Sequence, residues 1–599
     1  MDVFRDLGIP EAAVLAYLAT CAVLGLAALR KLSLASDETD PASNPWLCGF
    51  FALSLGLVFS VTTLLILGLL GLLQPYAVAF AHLMLLLWAG TMLAKFPQPS
   101  PHAILRGLIR PETLLVVALY IWIALAAIRV PGHFDDTMYH LPLARYYVEH
   151  HALAVQPFLR YPFFPQNMEL LFALGLMFGN DVAAQTLATV PLFVIAIGLI
   201  GAGAWLFGSI LPGFAAVVLM LSLATLRKTL GYSYVDNGLA LFCWGAYLAL
   251  ALWEGTDRKR RHWLVAAGVL AGAAMGSKFF GTVPAVMIGA WILLGRRDWK
   301  AALVYGGTAL LFGMGWYLRS WILSGDPLHP VGGPLFGYYL WNARDLMEQK
   351  SEQSLYGVTK QIAYLWPALK EARFTEWALA LSWIVFAWKS PKQMRLLFGL
   401  FLAYLLFWFY ATQLPRYLAP IYALGCLFSI AAIVEILRLL AWPIRRLGWR
   451  WRDGWIVPVA CLALAIHQLI PAREAALARI AHWQQALDGR SGSALFLRAN
   501  QLKPQFGDRL SQVGFEKSVY LFEGTVIGDW FGPGRYWDVI ECKKQCQLRP
   551  PEVVKARMHE FDSRMLMVRT AKFQINLESY RRDFDIQLQT PQGVLMTLK

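Results

Sequence analysis

The run HFDDTMYHLPLARYYVEHH, from His133 to His151, concentrates side chains that could do chemistry. Asp135 and Asp136 stand one or two residues beyond a hydrophobic stretch. An ionisable group at that depth, not needed for orientation, is a functional candidate. Two adjacent carboxylates there could supply a base, or could simply cap the helix that follows, where acidic residues are favoured. The residues alone leave both open. His133, His140, His150 and His151 do not have the spacing of a two-histidine metal pair such as HExxH, and no soft ligand stands nearby, so no metal site is read from them. A further carboxylate, Asp236 in GYSYVDNGLALF, opens a later apolar helix and reads first as a plain N-cap.

Cations accompany these acids. Lys278 lies in GSKFFG, Arg319 in WYLRSWILSGDPLHP and Arg416 in LPRYLAP, with Arg227 and Lys228 just before Asp236. They could snorkel to headgroup phosphates. Several cations beside two carboxylate sites also suit an anionic lipid whose sugar is handled by an acid or base, since arginine holds phosphate as a fork and lysine as a point charge.

The elements that must position these groups follow from composition. Of 599 residues, 58% are apolar or aromatic and 15% charged, too few charges to coat a soluble protein of this size. The apolar residues come in stretches of about 20, the length that crosses a bilayer. The net charge of +15 resides mostly in short loops, which excludes a nucleic-acid reading. Arg30-Lys31, the Lys95 to Arg110 segment, DRKRRHW, RRDWK, KSPKQMR and RRLGWRWR are the basic loops, and the positive-inside rule puts them in the cytoplasm. Spans beginning near residues 11, 48, 75, 111, 182, 209, 237, 262, 279, 301, 373, 394, 417 and 454 alternate between them, about 14 crossings. The stretch from Asn167 to Gly179 is too short to cross and is expected to lie at the interface. The outside then receives 130–181, the Arg227–Asp236 and Gly276–Gly281 turns, 324–371, the Thr412–Arg416 turn, and everything after about Ile470.

The expected architecture is thus mainly α. It is a polytopic transmembrane bundle with external interfacial helices, Met138 to His151 being amphipathic, and a small C-terminal α/β domain. Residues 1–110 are extra N-terminal spans with a cytoplasmic loop, 111–475 the main membrane module with external loops 130–181 and 324–371, and 490–599 the external domain. In that domain GDWFGPGRY reads as a turn packed on its own domain, with the wall of an acceptor site as the alternative. Cys542 and Cys546 could pair on the outside of a membrane or stay free, since spacing alone does not set their Cα separation.

In order and topology the chain resembles the GT-C superfamily of membrane glycosyltransferases, relatives of which include protein O-mannosyltransferases and lipid A aminoarabinose transferases. The resemblance covers about residues 111–440. Its marks are the paired acids with Tyr139-His140 after a span, Asp236 at the head of a later span, the Lys278 turn, the Arg319-Ser to His329-Pro loop, and Arg416-Tyr-Leu-Ala-Pro. The resemblance implies a polyprenyl-phosphate-linked sugar donor and inversion at the anomeric carbon, with Asp135 as base beside Asp136. It implies Lys278, Arg319 and Arg416 at the donor phosphate, and Tyr139, His140, Asp236 and His329 at the substrate. A divalent metal is used by part of the superfamily and stays open. The acceptor would be a glycolipid, a polysaccharide or a protein, and the site would be the outer face of a bacterial inner membrane. A transporter or flippase of lipid-linked sugars is the competing class. It calls for inverted repeats and mid-span ionisable groups, and no clear repeat is visible.

Overall fold

The computed structural model describes residues 3–32, 43–96, 110–354, 360–371, 392–440, 456–542 and 545–599. Each stretch expected to span begins on or beside a helix, except the one near residue 373, which lies outside the described residues. Among the described residues, seven helices are long and apolar enough to cross a membrane, and the pair Trp299–Gly313 and Gly315–Ser324, bent by 55°, makes an eighth if it is one span. Glu112–Ala127, Leu211–Ser222, His262–Ser277 and Phe279–Gly295 are apolar helices shorter than that. Helix length accounts for seven or eight crossings among the described residues, beside the about 14 that hydropathy and loop charge give for the whole chain.

Local sequence explains where these helices begin. Pro45, Pro75 and Pro111 each occupy the first helical position, where a missing N–H costs nothing. The Asn44 side chain accepts from the backbone N–H of Trp46 and Leu47, and Asn180 from Val182 and Ala183. The first two helices, Val3–Lys31 and Pro45–Leu69, cross in backbone contact. A Cβ on Gly25 would come within 1.7 Å of the Ala52 carbonyl oxygen, and one on Gly56 within 1.8 Å of that of Cys21. Small residues at such crossings are how membrane helices approach closely.

Two helices lie in the loop between the apolar helices Pro111–Ala127 and Asp181–Phe207. Leu141–His150 is amphipathic, with Leu141, Ala144 and Tyr147 buried and Arg145 paired to Glu149 at 3.7 Å. Asn167–Phe178, too short to cross, packs closely against its neighbours, with Asn167 through Gly175 buried. The reason is visible in NMELLFALGLMF: apolar residues occupy every face, and a helix apolar all round is buried.

The C-terminal domain is α/β. Strands β1 (Arg509–Val513), β2 (Thr525–Ile527), β3 (Ile540–Cys542), β4 (Cys546–Leu548), β5 (Met565–Val568), β6 (Phe584–Thr590) and β7 (Gly593–Leu598) form a five-stranded sheet of order β2-β1-β5-β7-β6 and the hairpin β3-β4. β1 is parallel to both β2 and β5, while β7 runs antiparallel to β5 and β6. Cys542 and Cys546 face each other across the hairpin and are joined by a disulfide. A hairpin, rather than a helix, brings their Cα atoms within 4.0 Å.

Candidate active site

Beyond the helix Pro111–Ala127, the chain turns through Gly132 into one wide turn with π-helical bonding, Asp136–His140, continuous with Leu141–His150. Such turns often mark functional positions. Here the turn sends the two adjacent acids to different surroundings. Asp136 is fully buried, and its carboxylate accepts from the backbone N–H of Gly132 (3.1 Å) and Ser233 (3.2 Å), tying the loop to the turn before Asp236. Burial pushes its pKa up to about 6, against the pull of those N–H donors. Asp135, 5% exposed, forms an ion pair with Arg416. Burial would raise this carboxyl too, but the guanidinium outweighs it and holds the pKa at about 2. Asp135 is therefore a carboxylate at neutral pH.

Asp135, Tyr139, His140, Lys278 and Arg416 line one cavity of about 890 Å³, near the upper end for small-molecule sites. Lys278 pairs with Asp236 at 2.8 Å and lies 4.3 Å from the centre of the Tyr417 ring, whose neighbour Arg416 holds Asp135. Two acid–base pairs thus converge on one space. Among the described residues, no group of three or more His, Cys, Asp or Glu is arranged to hold a metal ion.

The remaining expected site residues stand behind this wall. Asp236 reaches the cavity only through Lys278, and Asp136 is spent on backbone donors. Arg319, 3% exposed, donates to the carbonyls of Leu153 (2.9 Å) and Pro162 (3.2 Å). Its donor fork suits a loop that has carbonyls to satisfy and little regular structure. His329 Nε2 lies 2.5 Å from the Tyr339 carbonyl oxygen. Arg319 and His329 hold loops, and neither lines the cavity.

Other residues do line it. Glu169 sits 2.7 Å from His140 Nδ1, both nearly fully buried. Its place in an apolar helix was the available signal, since a carboxylate in such company needs a partner. Arg160 also faces the cavity and forks onto Asp529 at 2.5 and 3.2 Å. GDWFGPGRY is accordingly more than a turn on its own domain. Asp529 anchors it to the membrane module, Trp530 lines the cavity, and Phe531 lies 4.6 Å from Trp341, ring centre to ring centre. Arg145 adds contacts to the carbonyls of Tyr520 (2.9 Å) and Phe522 (2.5 Å), and Thr137 donates to that of Lys517 (2.6 Å). Each segment from residue 130 onward that loop charge assigns to the outside contributes to this cavity, and none of the described basic loops does.

Comparison with known proteins bears on this arrangement at two levels. Among solved structures, the chain is similar in outline to ArnT from Cupriavidus metallidurans bound to undecaprenyl phosphate (15% identity, TM-score 0.47) and in the apo state (16%, 0.48), each covering 81% of this chain and 97% of that one. It is similar also to the archaeal oligosaccharyltransferase AglB from Archaeoglobus fulgidus, in complex with an inhibitory peptide and a dolichol-phosphate (12%, 0.42; 76% of this chain and 69% of that one). In sequence, a family described as SF2091/S2213 matches residues 482–597. The uncharacterized Shigella flexneri protein SF2093/S2215 is 47% identical over 134 residues, 22% of this chain and 67% of that protein. The uncharacterized SF2092/S2214 of the same organism is 35% identical over 154 residues, 25% of this chain and 84% of that protein. By these matches the chain belongs to the family represented by the Shigella flexneri proteins SF2093/S2215 and SF2092/S2214.

Proposed function

We propose that the chain is an inverting glycosyltransferase that moves a sugar from a polyprenyl-phosphate-linked donor to an acceptor at the outer face of the membrane. The observation that carries the reading is the juxtaposition of a carboxylate, Asp135, with two cations, Arg416 and Lys278, in one cavity fed by the loops expected outside. Displacement at an anomeric carbon needs a carboxylate on the face opposite the leaving group, to take the acceptor's hydroxyl proton. As that oxygen bonds to the anomeric carbon, the bond from the carbon to the phosphate oxygen breaks. The lipid phosphate departs as an anion needing charge stabilisation rather than a proton, which Lys278 and Arg416 supply. An arriving phosphate also competes with Asp135 for Arg416. A carboxylate relieved of its guanidinium becomes a stronger base, so donor binding would arm the base.

The test uses membranes expressing wild type, Asp135→Asn or Asp136→Asn and a panel of radiolabelled polyprenyl-phosphate sugars. Wild type should consume a donor and Asp135→Asn should lose at least about a hundredfold. Undiminished turnover by Asp135→Asn would remove the proposed base. No consumption of any donor would favour the transporter reading.

A further inference from the structure

The five-stranded sheet of the C-terminal domain has a crevice that the glycosyltransferase reading leaves unused. β2, β1 and β5 are parallel neighbours, with β1 in the middle. The chain leaves β1 for β2 on one side and then crosses to β5 on the other. In open α/β sheets, ligands bind outside the carboxyl ends of the strands where the strand order reverses in this way. Here all three carboxyl ends open onto the cavity. Glu516 and Lys517 follow β1, Trp530 follows β2, and Arg569 and Lys572 follow β5. The two central loops are closed against each other: Gly514, at φ +88°, leaves no room for a Cβ beside Phe573, and the Arg569 N–H donates to the Val513 carbonyl at 3.0 Å.

Charge at this edge differs from charge at the opposite wall. Arg160, Lys278 and Arg416 each hold a carboxylate. Lys517, Arg569 and Lys572 have no carboxylate partner among the described residues. The two lysines rest instead near aromatic faces, Lys517 at 4.6 Å from the Phe134 ring centre and Lys572 at 5.6 Å from that of Trp530. Glu516 is an independent sign of a ligand. It lines the cavity, is only 4% exposed, and one of its carboxylate oxygens has no hydrogen-bond partner among the described residues. A buried acceptor of that kind calls for a donor such as a sugar hydroxyl.

We propose that the carboxyl edge of β1, β2 and β5 is the acceptor subsite, and that the acceptor is a sugar carrying an anionic group, phosphate or carboxylate. Lys517, Arg569 and Lys572 hold the anion, Glu516 accepts from a hydroxyl, and Trp530 offers an aromatic face to the ring. The Thr137 hydroxyl, two residues beyond Asp135, donates to the Lys517 carbonyl, so the edge is tied to the turn beside the base. The assignment as an acceptor site rests on the glycosyltransferase reading, whereas the anion-binding edge does not.

Saturation-transfer NMR on the full chain in detergent micelles tests it, with glucose, glucose 6-phosphate and glucuronic acid as probes. At least one anionic probe should bind about tenfold or more tighter than glucose, as expected for a pair of charge-assisted contacts. That preference should vanish in Arg569→Gln/Lys572→Gln and persist in Lys278→Gln and Asp135→Asn. Whichever anionic probe binds identifies the group. Should the double variant fail to fold, Lys517→Gln alone must weaken the anionic probe about threefold or more, the loss of one such contact. Equal binding of glucose and both anions overturns the proposal, as does a preference lost in Lys278→Gln and kept in the double variant. Failure here beside an Asp135-dependent transfer would leave the transferase reading intact. Anion binding at the edge without any transfer would do the reverse.

Discussion

Asp135 and Asp136 share a sequence context and nothing else. The first pairs with a cation at the cavity wall, and the second is buried against two backbone donors. This divergence yields a pH prediction for Asp136. Its folded pKa, about 6, lies above its ordinary value near 4, so the native state holds a proton longer than the unfolded chain. The stability this contributes is complete below about pH 4 and is lost as pH rises through about 6. A shift of about two units corresponds to roughly 3 kcal/mol. Wild type should therefore lose about that much relative to Asp136→Asn between pH 4 and 7, measured by unfolding in mild detergent. A pH-independent difference would contradict the assignment. The kinetic counterpart concerns Lys278. Lys278→Gln should lower donor turnover by about 10²- to 10³-fold, the usual cost of one missing anion-stabilising donor, if the lysine meets the leaving phosphate. Both acids were legible as candidates because carboxylates beside a span are rare. The residues alone did not say which one faces the cavity, because a single π-helical turn decides it, whereas the family resemblance pointed to Asp135.

At the scale of elements, the loop between the apolar helices Pro111–Ala127 and Asp181–Phe207 is built from two short helices and a clamp. Arg160 and Asp529 form that clamp, 369 residues apart. Arg160→Ala would strand a buried carboxylate and should destabilise by about 3–5 kcal/mol, whereas exchanging both partners for apolar residues of similar volume should cost much less. Hydrogen exchange across 525–538 in the two variants measures this, with faster exchange expected in the single one. Helix positions were readable from apolar runs. The burial of Asn167–Phe178 could have been read from its all-round apolar character. The pairing of Arg160 with Asp529 could not, since no local pattern links residues so distant in the chain. Arg319 and His329 show the converse: motif order marked them, yet backbone carbonyls occupy them, distant ones of Leu153 and Pro162 for Arg319 and the nearby one of Tyr339 for His329.

For the whole molecule, loop charge and cavity geometry converge. The positive-inside rule divides the loops into two sets, and only the set expected outside lines the cavity. A cysteine placed at Lys350, on the cavity wall, should react with a membrane-impermeant maleimide in intact cells. One placed at Arg258, in the DRKRRHW loop, should react only after permeabilisation. The reverse pattern would invert the topology. The central claim is that this cavity makes a glycosidic bond rather than passing a lipid-linked sugar across the bilayer. The direct measurement follows the label when wild-type protein in proteoliposomes meets a radiolabelled polyprenyl-phosphate sugar and an acceptor extract. Label joined to acceptor, with free polyprenyl phosphate released in equal amount, is the predicted result. Label that stays on intact donor and merely changes leaflet would contradict it.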